Sequence, residues 1–281
     1  MMRASVKTKS KRAAEPGREP AEPEPRGIGD PDFMTSLARG LTVIRAFAGR
    51  PPGGASIAEL SLRTGIPRSA VRRCLHTLSR LGYVSAEGRH YSLRPRVLSL
   101  GAAYATSSAL STAAQRFLDQ VSGAVGESCS LSVLDEGEIL YLIRSATSAR
   151  IMSVDLRPGS RLPAYCTSMG RVLLAHLAPA ELRSYLQRTR LEPHTERTLT
   201  SREKLLQVLL AVRRGGYAVV DQELELGLRS IAVPVQDAAG RVVAAMNVST
   251  QAARVNLREM ERRFLGPLRS SAAELGLLLR G

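Results

Sequence analysis

No stretch of this sequence reaches the ~18 consecutive apolar residues that a membrane-spanning helix requires. The amino-terminal stretch MMRASVKTKSKRAAEPGREPAEPEPRG also lacks the apolar segment of a secretory signal. These two absences predict a cytoplasmic protein with no membrane partner. The 281 residues are enough for two modest domains, and an apolar fraction of 44% can supply a core.

Cysteine and histidine are scarce, which argues against disulfide and metal sites. The three cysteines, Cys74, Cys129 and Cys166, are odd in number and far apart, so they form neither a disulfide framework nor a zinc pattern. The four histidines show no paired metal-ligand spacing. We therefore predict reduced cysteines that contribute to packing, and no metal or other cofactor.

The motifs of common enzyme classes are missing as well. The chain has no GxxxxGK[ST] phosphate loop and no GxSxG nucleophile motif. Ser168, His194 and Asp221 could be combined into a catalytic triad, but His194 lies in the polar stretch LEPHTER. The sequence therefore predicts a protein that is not an enzyme, with a hydrolase as an alternative.

The net charge of +15 is concentrated in one part of the chain. Residues 31–100 carry 11 cationic side chains, all of them arginine, against 3 acidic ones, whereas residues 101–281 carry 22 against 17. The guanidinium group donates two parallel hydrogen bonds, which suits phosphates and guanine. The basic segment therefore favours nucleic acid as a partner, although such a surface can also simply be solvated.

Two short helices are predicted at the start of the basic segment. Apolar spacing that includes Leu37 and Leu41 indicates an amphipathic helix, with Ser36 as a plausible N-cap. After a Gly- and Pro-rich loop, Ser56 and Glu59 have the spacing of a capping box at the start of the second helix, IAELSLRT.

The stretch GIPRSAVRRCLHTLSRLGYV predicts a third helix with two different faces. A turn at Gly65 precedes it, and Pro67 suits a first helical residue. At 100° per residue, the apolar face consists of Val71, Cys74, Leu75, Leu78 and Leu81. The opposite face consists of Ser69, Arg72, Arg73, His76 and Arg80. A helix-turn-helix whose second helix is cationic on one side has the geometry that enters a DNA major groove.

A hairpin follows this helix in YVSAEGRHYSL, with Arg89 and His90 near its tip. Such a hairpin is the wing of a winged helix, suited to phosphates or the minor groove. The residues expected to face base edges are Ser69, Arg72, Arg73 and His76. The residues expected to contact phosphates are Arg68, Arg80, Arg89 and His90. The alternative is a three-helix domain whose surface happens to be basic.

The whole chain divides into four predicted segments. Residues 1–33 are a disordered tail, because they have too few large apolar side chains to offset ordering entropy. Residues 34–95 are the winged helix-turn-helix domain, residues 96–109 a linker helix, and residues 110–281 a second domain. The predicted strands of that domain are SCSLSVLD, EILYLIRSA, RIMSVDL, YAVVD, RSIAVPVQD and RVVAAMNVS. Alternating with helices, they predict an α+β fold on an antiparallel sheet, large enough to enclose a small ligand.

Several segments together resemble the IclR family of bacterial transcription regulators. They include LARGLTVIRAF, SIAELSLRTGIPRSAVRRCLHTLSRLGYV, LRPGSRLPAYCTSMGRVLLA and GYAVVDQELELGLRSIAVPVQDAAGRVVAAMNVS. The resemblance implies a GAF-like effector-binding domain, a homodimer or homotetramer, and control by a small carboxylic acid. On this basis we expect a palindromic DNA operator. PAYCTSMGRVLLA and MNVSTQAARV are similar to the branch that controls protocatechuate, 4-hydroxybenzoate and β-ketoadipate breakdown.

The resemblance also implies an effector site on one face of the sheet, against the loop before the TSMG helix. The matching positions are Ser168, Met169, Gly170, Asp221, Ser230, Asn247 and Ser249. A helix that starts at Ser168 offers free N–H groups to a carboxylate. Gly170 could equally be needed for helix–sheet packing, and Asp221 could simply cap a turn. Asn247 and Ser249 share one sheet face because they are two residues apart.

Two questions stay open at this point. Arg144 and Arg161 are further candidate partners for a carboxylate, and surface solvation is the other interpretation of each. A regulator without a small-molecule effector is also compatible with the sequence, its C-terminal domain then serving only for assembly. Ligand-induced stabilisation distinguishes the two functions, because an acid that binds the native state raises its free energy of unfolding.

Overall fold

The structure is a computed structural model that describes residues 30–49, 53–101, 109–145 and 156–279. Contacts divide the chain into two compact units, residues 1–102 and residues 103–281, which we call the N-terminal and C-terminal units. Within the described ranges, the N-terminal unit has one hydrophobic core and the C-terminal unit has two. The predicted disordered tail falls almost entirely outside the described residues.

The N-terminal unit contains helices and a small antiparallel sheet. Its helices are α1 (Thr35–Arg45), α2 (Ile57–Thr64) and α3 (Arg68–Arg80), and a 3-10 turn spans Pro95–Val97. Its strands are β1 (Ala55–Ser56), β2 (Val84–Glu87) and β3 (His90–Leu93), in the order β1-β3-β2. The predicted helix-turn-helix and hairpin are present, and β1 is a strand that the sequence did not reveal.

Local chemistry fixes the start and end of α2. Ser56 Oγ accepts a hydrogen bond from the Glu59 N–H at 3.3 Å, and the Glu59 carboxylate accepts one from the Ser56 N–H at 2.7 Å. Gly65 ends the helix with φ +72°, a left-handed conformation that glycine adopts without a Cβ clash. The predicted capping box is thus confirmed, whereas Pro67 is the N-cap of α3 rather than its first residue.

The core of the N-terminal unit is smaller than the apolar spacing predicted. The side chains at its centre are Val43, Leu60, Val71 and Leu75, each 0% exposed. Leu37, Leu41 and Leu81 are instead 58%, 45% and 52% exposed, and they border a groove between α1 and α3. The N-cap of α1 is Met34, not Ser36. Helical spacing identified the apolar faces, but it could not tell how much of each face the unit covers.

As far as its residues are described, the C-terminal unit is built on a six-stranded antiparallel sheet. Its helices are α4 (Ala109–Val125), α5 (Ser168–Ala175), α6 (Pro179–Arg188), α7 (Arg202–Gly215) and α8 (Leu257–Leu277). Its strands are β4 (Ser128–Asp135), β5 (Glu138–Ser145), β6 (Arg161–Pro163), β7 (Ala218–Asp221), β8 (Leu228–Gln236) and β9 (Val242–Gln251). They lie in the order β6-β5-β4-β9-β8-β7, which confirms the predicted α+β architecture.

Helices cover both faces of this sheet. On one face, α4 and α8 pack through Phe117 and Phe264 against strand residues that include Leu131. On the other, which we call the α5 face, α5 and α7 pack through Met169 and Leu205. Full burial of a side chain of this size contributes about 1.5–3 kcal/mol, so both layers stabilise the sheet.

Two predicted elements extend outside the described residues. The strand RIMSVDL would occupy residues 150–156, of which only the last is described, and the linker helix at 96–109 includes the undescribed residues 102–108. Residues 98–101 of that linker are helical. β6, which pairs with β5 at one edge of the sheet, was not predicted. In the part of the chain that the structure describes, no helix is long and apolar enough to cross a membrane.

Candidate DNA-binding surface and effector cavity

The polar face of α3 is a row of exposed side chains. All predicted residues of this face are exposed, namely Ser69, Arg72, Arg73, His76 and Arg80. Arg68, at the start of the helix, is exposed as well. Val71 and Leu75, on the opposite side, are fully buried. Among the described residues, none of the arginines on this face has an ion-pair partner. Uncompensated guanidinium groups on one side of a helix-turn-helix suit an anionic duplex.

The β2–β3 hairpin carries two further basic side chains. Gly88 occupies its turn with φ +61°, and Arg89 and His90 beside it are exposed. Gly54 lies close to the base of this hairpin, since a Cβ at that position would be 2.5 Å from the Tyr91 carbonyl oxygen. Because Gly54 has no side chain, the chain before β1 can approach β3 closely. β1 then pairs with β3, so the wing has three strands.

Arg73 differs from its neighbours on α3. It borders the groove between α1 and α3, together with Arg39. Burial raises the pKa of the Cys74 thiol in the same groove, and the charges of Arg39 and Arg73 oppose this increase. The structure therefore places Arg73 toward α1, at the edge of the face that Arg72 and His76 occupy.

A small cavity lies on the α5 face of the sheet, between the start of α5 and strands β8 and β9. Its lining residues are Tyr141, Cys166, Thr167, Ser168, Met169, Val220, Leu224, Leu228, Ser230, Asn247 and Ser249. We call it the sheet cavity. Burial raises the pKa of the Cys166 thiol to about 12, so this residue is neutral at pH 7. The lining is therefore polar but uncharged.

The start of α5 forms one wall of the sheet cavity. Thr167 is the N-cap, whose hydroxyl accepts a hydrogen bond from the Gly170 N–H at 3.2 Å and donates one to the Pro163 carbonyl at 3.0 Å. Ser168 is 1% exposed, and its Oγ has no hydrogen-bond partner. Thr167 accepts from the N–H groups of Gly170 and Arg171, so the N–H groups of Ser168 and Met169 are the ones at the start of α5 that suit an anion.

A second wall comes from β8 and β9. Ser230 and Ser249 are directly paired across these strands. Asn247 Nδ2 donates to Ser249 Oγ at 3.0 Å, whereas Asn247 Oδ1 has no partner although the residue is only 3% exposed. A buried carbonyl oxygen without a hydrogen bond is unfavourable. This wall can therefore bind a polar group of a ligand.

Comparison with known proteins shows which family the chain belongs to. Residues 36–88 match the family described as the IclR helix-turn-helix domain, and residues 102–276 match the bacterial transcriptional regulator IclR C-terminal family. The chain belongs to the IclR family. The family and fold inferred from the sequence are thus confirmed.

Individual members of the IclR family are similar to this chain over most of their length. The Pca regulon regulatory protein of Pseudomonas putida is 55% identical over 88% of this chain and 84% of that protein. The p-hydroxybenzoate hydroxylase transcriptional activator of Acinetobacter baylyi is 36% identical over 87% of this chain and 91% of that protein. An IclR homologue from Microbacterium hydrocarbonoxydans, crystallised with 4-hydroxybenzoate, is 25% identical with a TM-score of 0.73, covering 87% of this chain and 98% of that one.

In this IclR-family chain, the structure separates the predicted effector residues into two groups. Those that line the sheet cavity are Ser168, Met169, Ser230, Asn247 and Ser249. Gly170 does not line it, because this glycine packs against the preceding loop. A Cβ on Gly170 would lie 2.1 Å from the Ala164 carbonyl oxygen. The packing interpretation of Gly170 is therefore the one that the geometry supports.

Asp221, the remaining predicted residue, also lies outside the cavity lining. Its Oδ1 accepts a hydrogen bond from Arg229 Nε at 2.5 Å, and its Oδ2 accepts one from Arg197 Nη1 at 3.0 Å. Partial burial raises the pKa of Asp221, but the hydrogen bonds from Arg229 and Gln222 and the two arginine charges outweigh burial and hold it below its usual value. The structure thus assigns this carboxylate to ion pairs rather than to the cavity.

Sequence reasoning missed much of the cavity wall. The lining residues that it did not identify are Tyr141, Cys166, Thr167, Val220, Leu224 and Leu228. One signal was available in SCSLSV, where Ser128, Ser130 and Ser132 occupy every second position of β4 and are all buried. Ser132 Oγ donates to Met169 Sδ at 3.2 Å. Alternating serines in a strand without exposed positions indicate a polar patch inside the protein.

A buried ion pair joins α5 to the loop beside the cavity. Arg171 Nη2 lies 2.6 Å from Glu223 Oε2, and the two side chains are 4% and 12% exposed. Arg171 Nε also donates to the Tyr165 carbonyl, and Glu223 accepts a hydrogen bond from the Leu199 N–H at 2.9 Å. Because Leu224 follows Glu223 and lines the cavity, this pair holds part of the cavity wall in place.

Proposed function

We propose that this protein is a transcription regulator whose affinity for an operator is set by a small carboxylic acid from the breakdown of aromatic compounds. The observation that carries the DNA-binding half is the exposed cationic face of α3, opposite a fully buried apolar face. Operator binding takes place on cytoplasmic DNA and involves no catalysis. This proposal accounts for both the basic N-terminal unit and the polar cavity of the C-terminal unit.

On DNA, the contacts divide by position. Ser69, Arg72 and His76 on α3 read base edges, and Arg73 does so from the α1 side of the same face. The residues that contact phosphates are Arg68, Arg80, Arg89 and His90. Arginine reads guanine by two hydrogen bonds in the major groove, whereas phosphate contacts position the protein without reading sequence. A homodimer or homotetramer on a palindromic operator places two such winged units on successive half-sites.

The effector part of this proposal is supported by the sheet cavity and by the similar proteins of the IclR family. The Pca regulon protein, the p-hydroxybenzoate hydroxylase activator and the homologue bound to 4-hydroxybenzoate all point to acids of aromatic breakdown. The proposed effector contacts are Ser168, Met169, Ser230, Asn247 and Ser249. Ser168 and the start of α5 supply donors for a carboxylate, and Asn247 and the serines meet a second polar group.

Control requires that the cavity change shape on binding. Its free volume is about 20 Å³, whereas a single water needs about 10–15 Å³ and pockets for drug-sized ligands have about 300–1,000 Å³. A six-carbon acid therefore enters only when side chains move, and Met169 is unbranched and adaptable. An effector that binds the opened cavity better than the closed one shifts the population of the two forms, which is the physical basis of regulation.

The test combines DNA binding with ligand-induced stabilisation. Full-length protein is titrated with its own promoter region and with a scrambled duplex, with and without protocatechuate, 4-hydroxybenzoate and β-ketoadipate. We expect preference for the promoter, a change in that affinity with at least one acid, and stabilisation by about 2.7 kcal/mol at ~100 Kd of that acid. Promoter binding without any ligand effect would favour a C-terminal unit that serves only for assembly. Equal binding to both duplexes would refute the regulator function.

A further inference from the structure

Arg144 lies on the same sheet face as the cavity. It pairs with Ser130 across β5 and β4, and Ser130 pairs with Asn247 across β4 and β9. Directly opposed residues of antiparallel strands project to the same side of a sheet. A polar row therefore crosses three strands on the α5 face, with Arg144 at one end and the cavity residue Asn247 at the other.

The charge on Arg144 is not compensated within the described residues. The side chain is partly buried, and it has no hydrogen bond or ion pair there. The acidic groups that adjoin cavity-lining residues in the chain already have partners, since Glu223, next to Leu224, pairs with Arg171, and Asp221, next to Val220, pairs with Arg229. A partly buried cation without a counter-ion is electrostatically unfavourable, so this site favours the arrival of an anion.

Arg144 is close enough to take part in ligand binding. Neighbouring strands are about 4.7–4.9 Å apart, so the backbones of β5 and β9 are separated by roughly 10 Å. An arginine side chain and a short organic acid can span that distance together. Burial raises the pKa of Tyr141, which lines the cavity, and the charge of Arg144 partly opposes this increase. The guanidinium group thus acts on the cavity wall electrostatically.

We propose, on the basis of the effector site described above, that Arg144 binds a second acidic group of the effector and selects dicarboxylic over monocarboxylic acids. Ser168 and the first N–H groups of α5 hold one carboxylate of the ligand. Arg144 donates to the acidic group at its other end, and Asn247 donates there through the second hydrogen of Nδ2, since Oδ1 is an acceptor. The cavity lining itself is uncharged, so Arg144 is the specificity-determining cation of this site.

The experiment measures binding of matched acid pairs by titration calorimetry on the full chain. The pairs are adipate with hexanoate and terephthalate with benzoate, each differing in one carboxylate, together with β-ketoadipate and 4-hydroxybenzoate. Wild-type protein should bind the dicarboxylate of at least one pair more tightly than its monocarboxylate. Arg144→Gln should weaken dicarboxylate binding by about 10- to 100-fold, the range for a lost charge-assisted hydrogen bond. The ratio of dicarboxylate to monocarboxylate affinity should then be close to one.

Two further variants separate charge from structure. Arg144→Lys keeps the charge and should retain most of the preference. Arg161→Gln makes the same change at an arginine that pairs with Asp135 and Glu138, and it should leave the ratio unchanged. Thermal unfolding of each variant confirms that it is folded.

The possible results distinguish this inference from the proposed function. An unchanged ratio in Arg144→Gln, or tight binding of 4-hydroxybenzoate without any dicarboxylate binding, would overturn the role of Arg144 and leave the effector function standing. If wild-type protein bound none of the acids, the role of Arg144 and the effector part of the proposed function would both be overturned, and the DNA-binding part would stand.

Discussion

The side chains proposed to contact DNA and those proposed to contact the effector differ in burial and in charge. On α3 and the wing they are exposed and mostly cationic, and the fully buried Val71 and Leu75 hold the helix in place from the other side. In the sheet cavity they are mostly buried hydroxyl and amide groups, such as Ser168 and Asn247. The first set needs one face of α3 and the hairpin that follows it in the chain, whereas the second needs α5, β8 and β9 to converge.

This difference implies that the two regions respond differently to substitution. An exposed arginine without a partner can be removed with little effect on folding, so its loss is seen only when DNA is present. A buried polar group that is hydrogen-bonded and ion-paired, such as Arg171, is tied to its neighbours, and its loss affects stability and ligand binding together. The predictions below test this contrast, from the largest expected effect to the smallest.

The largest effect is expected at the buried ion pair beside the cavity. Arg171→Met leaves Glu223 buried without its cation, and breaking such a pair destabilises a protein by about 3–5 kcal/mol. We expect the lower end of this range, because Glu223 keeps the hydrogen bond from the Leu199 N–H. Chemical denaturation measures the change. Arg161→Met, which breaks a more exposed pair, should cost no more than about 1 kcal/mol.

The double variant Arg171→Met with Glu223→Gln should recover part of the lost stability, because it leaves no unpaired charge in the interior. If the single Arg171 variant were as stable as Arg161→Met, the ion pair would not hold the cavity wall, and the contrast between the two regions would weaken.

Gly170→Ala should destabilise the C-terminal unit by about 1–3 kcal/mol, the usual penalty of overpacking. The added Cβ would lie 2.1 Å from the Ala164 carbonyl oxygen, so the loop must move away from α5. The matched control is Gly123→Ala in α4, where nothing lies within 4 Å. There the same change should stabilise by about 0.5–1 kcal/mol, because alanine is the better helix former. Equal effects at the two positions would mean that Gly170 has no packing role.

Arg72→Ala should weaken operator binding by about 1–3 kcal/mol and relax sequence preference, without a change in the unfolding midpoint. The physical reason is that its guanidinium group is exposed and has no ion-pair partner among the described residues. Fluorescence anisotropy on the promoter and on single-base variants measures the effect. Loss of affinity for all sequences alike would show that Arg72 contacts phosphate instead of a base.

The smallest effect is expected at the wing. Arg89→Ala should weaken binding to specific and random DNA by the same modest factor, and it should reduce the dependence of affinity on salt by about one ion. Affinities measured at several salt concentrations, from low to moderate, give the slope of log affinity against log salt concentration. A change in base preference in this variant would assign the wing to sequence reading.

Local signals were sufficient to predict the exposed cationic face of α3. The 100° spacing places Arg72 and His76 on the polar side of α3, away from the apolar face that includes Leu75 and Leu78, because helix geometry depends only on neighbouring turns. The same spacing failed for Leu37 and Leu81, since exposure depends on what else covers a face.

The cavity could be predicted only in part, because its walls come from distant parts of the chain. Five of the positions predicted by resemblance do line it. Asp221 does not, because it forms an ion pair with Arg229 on the neighbouring strand. No local pattern could reveal that pairing.

The sequence by itself determined the ends of α2, the two faces of α3, the wing and the α+β class, because capping, periodicity and turn chemistry act over a few residues. Only the tertiary structure decided where Arg144 points. A register shift between Leu131 and Ser132 brings Tyr141 and Arg144, three residues apart, to the same face of the sheet. Simple alternation would have put them on opposite faces. Such an irregularity arises from pairing between strands, so it is a property of the folded sheet and not of the strand's own sequence.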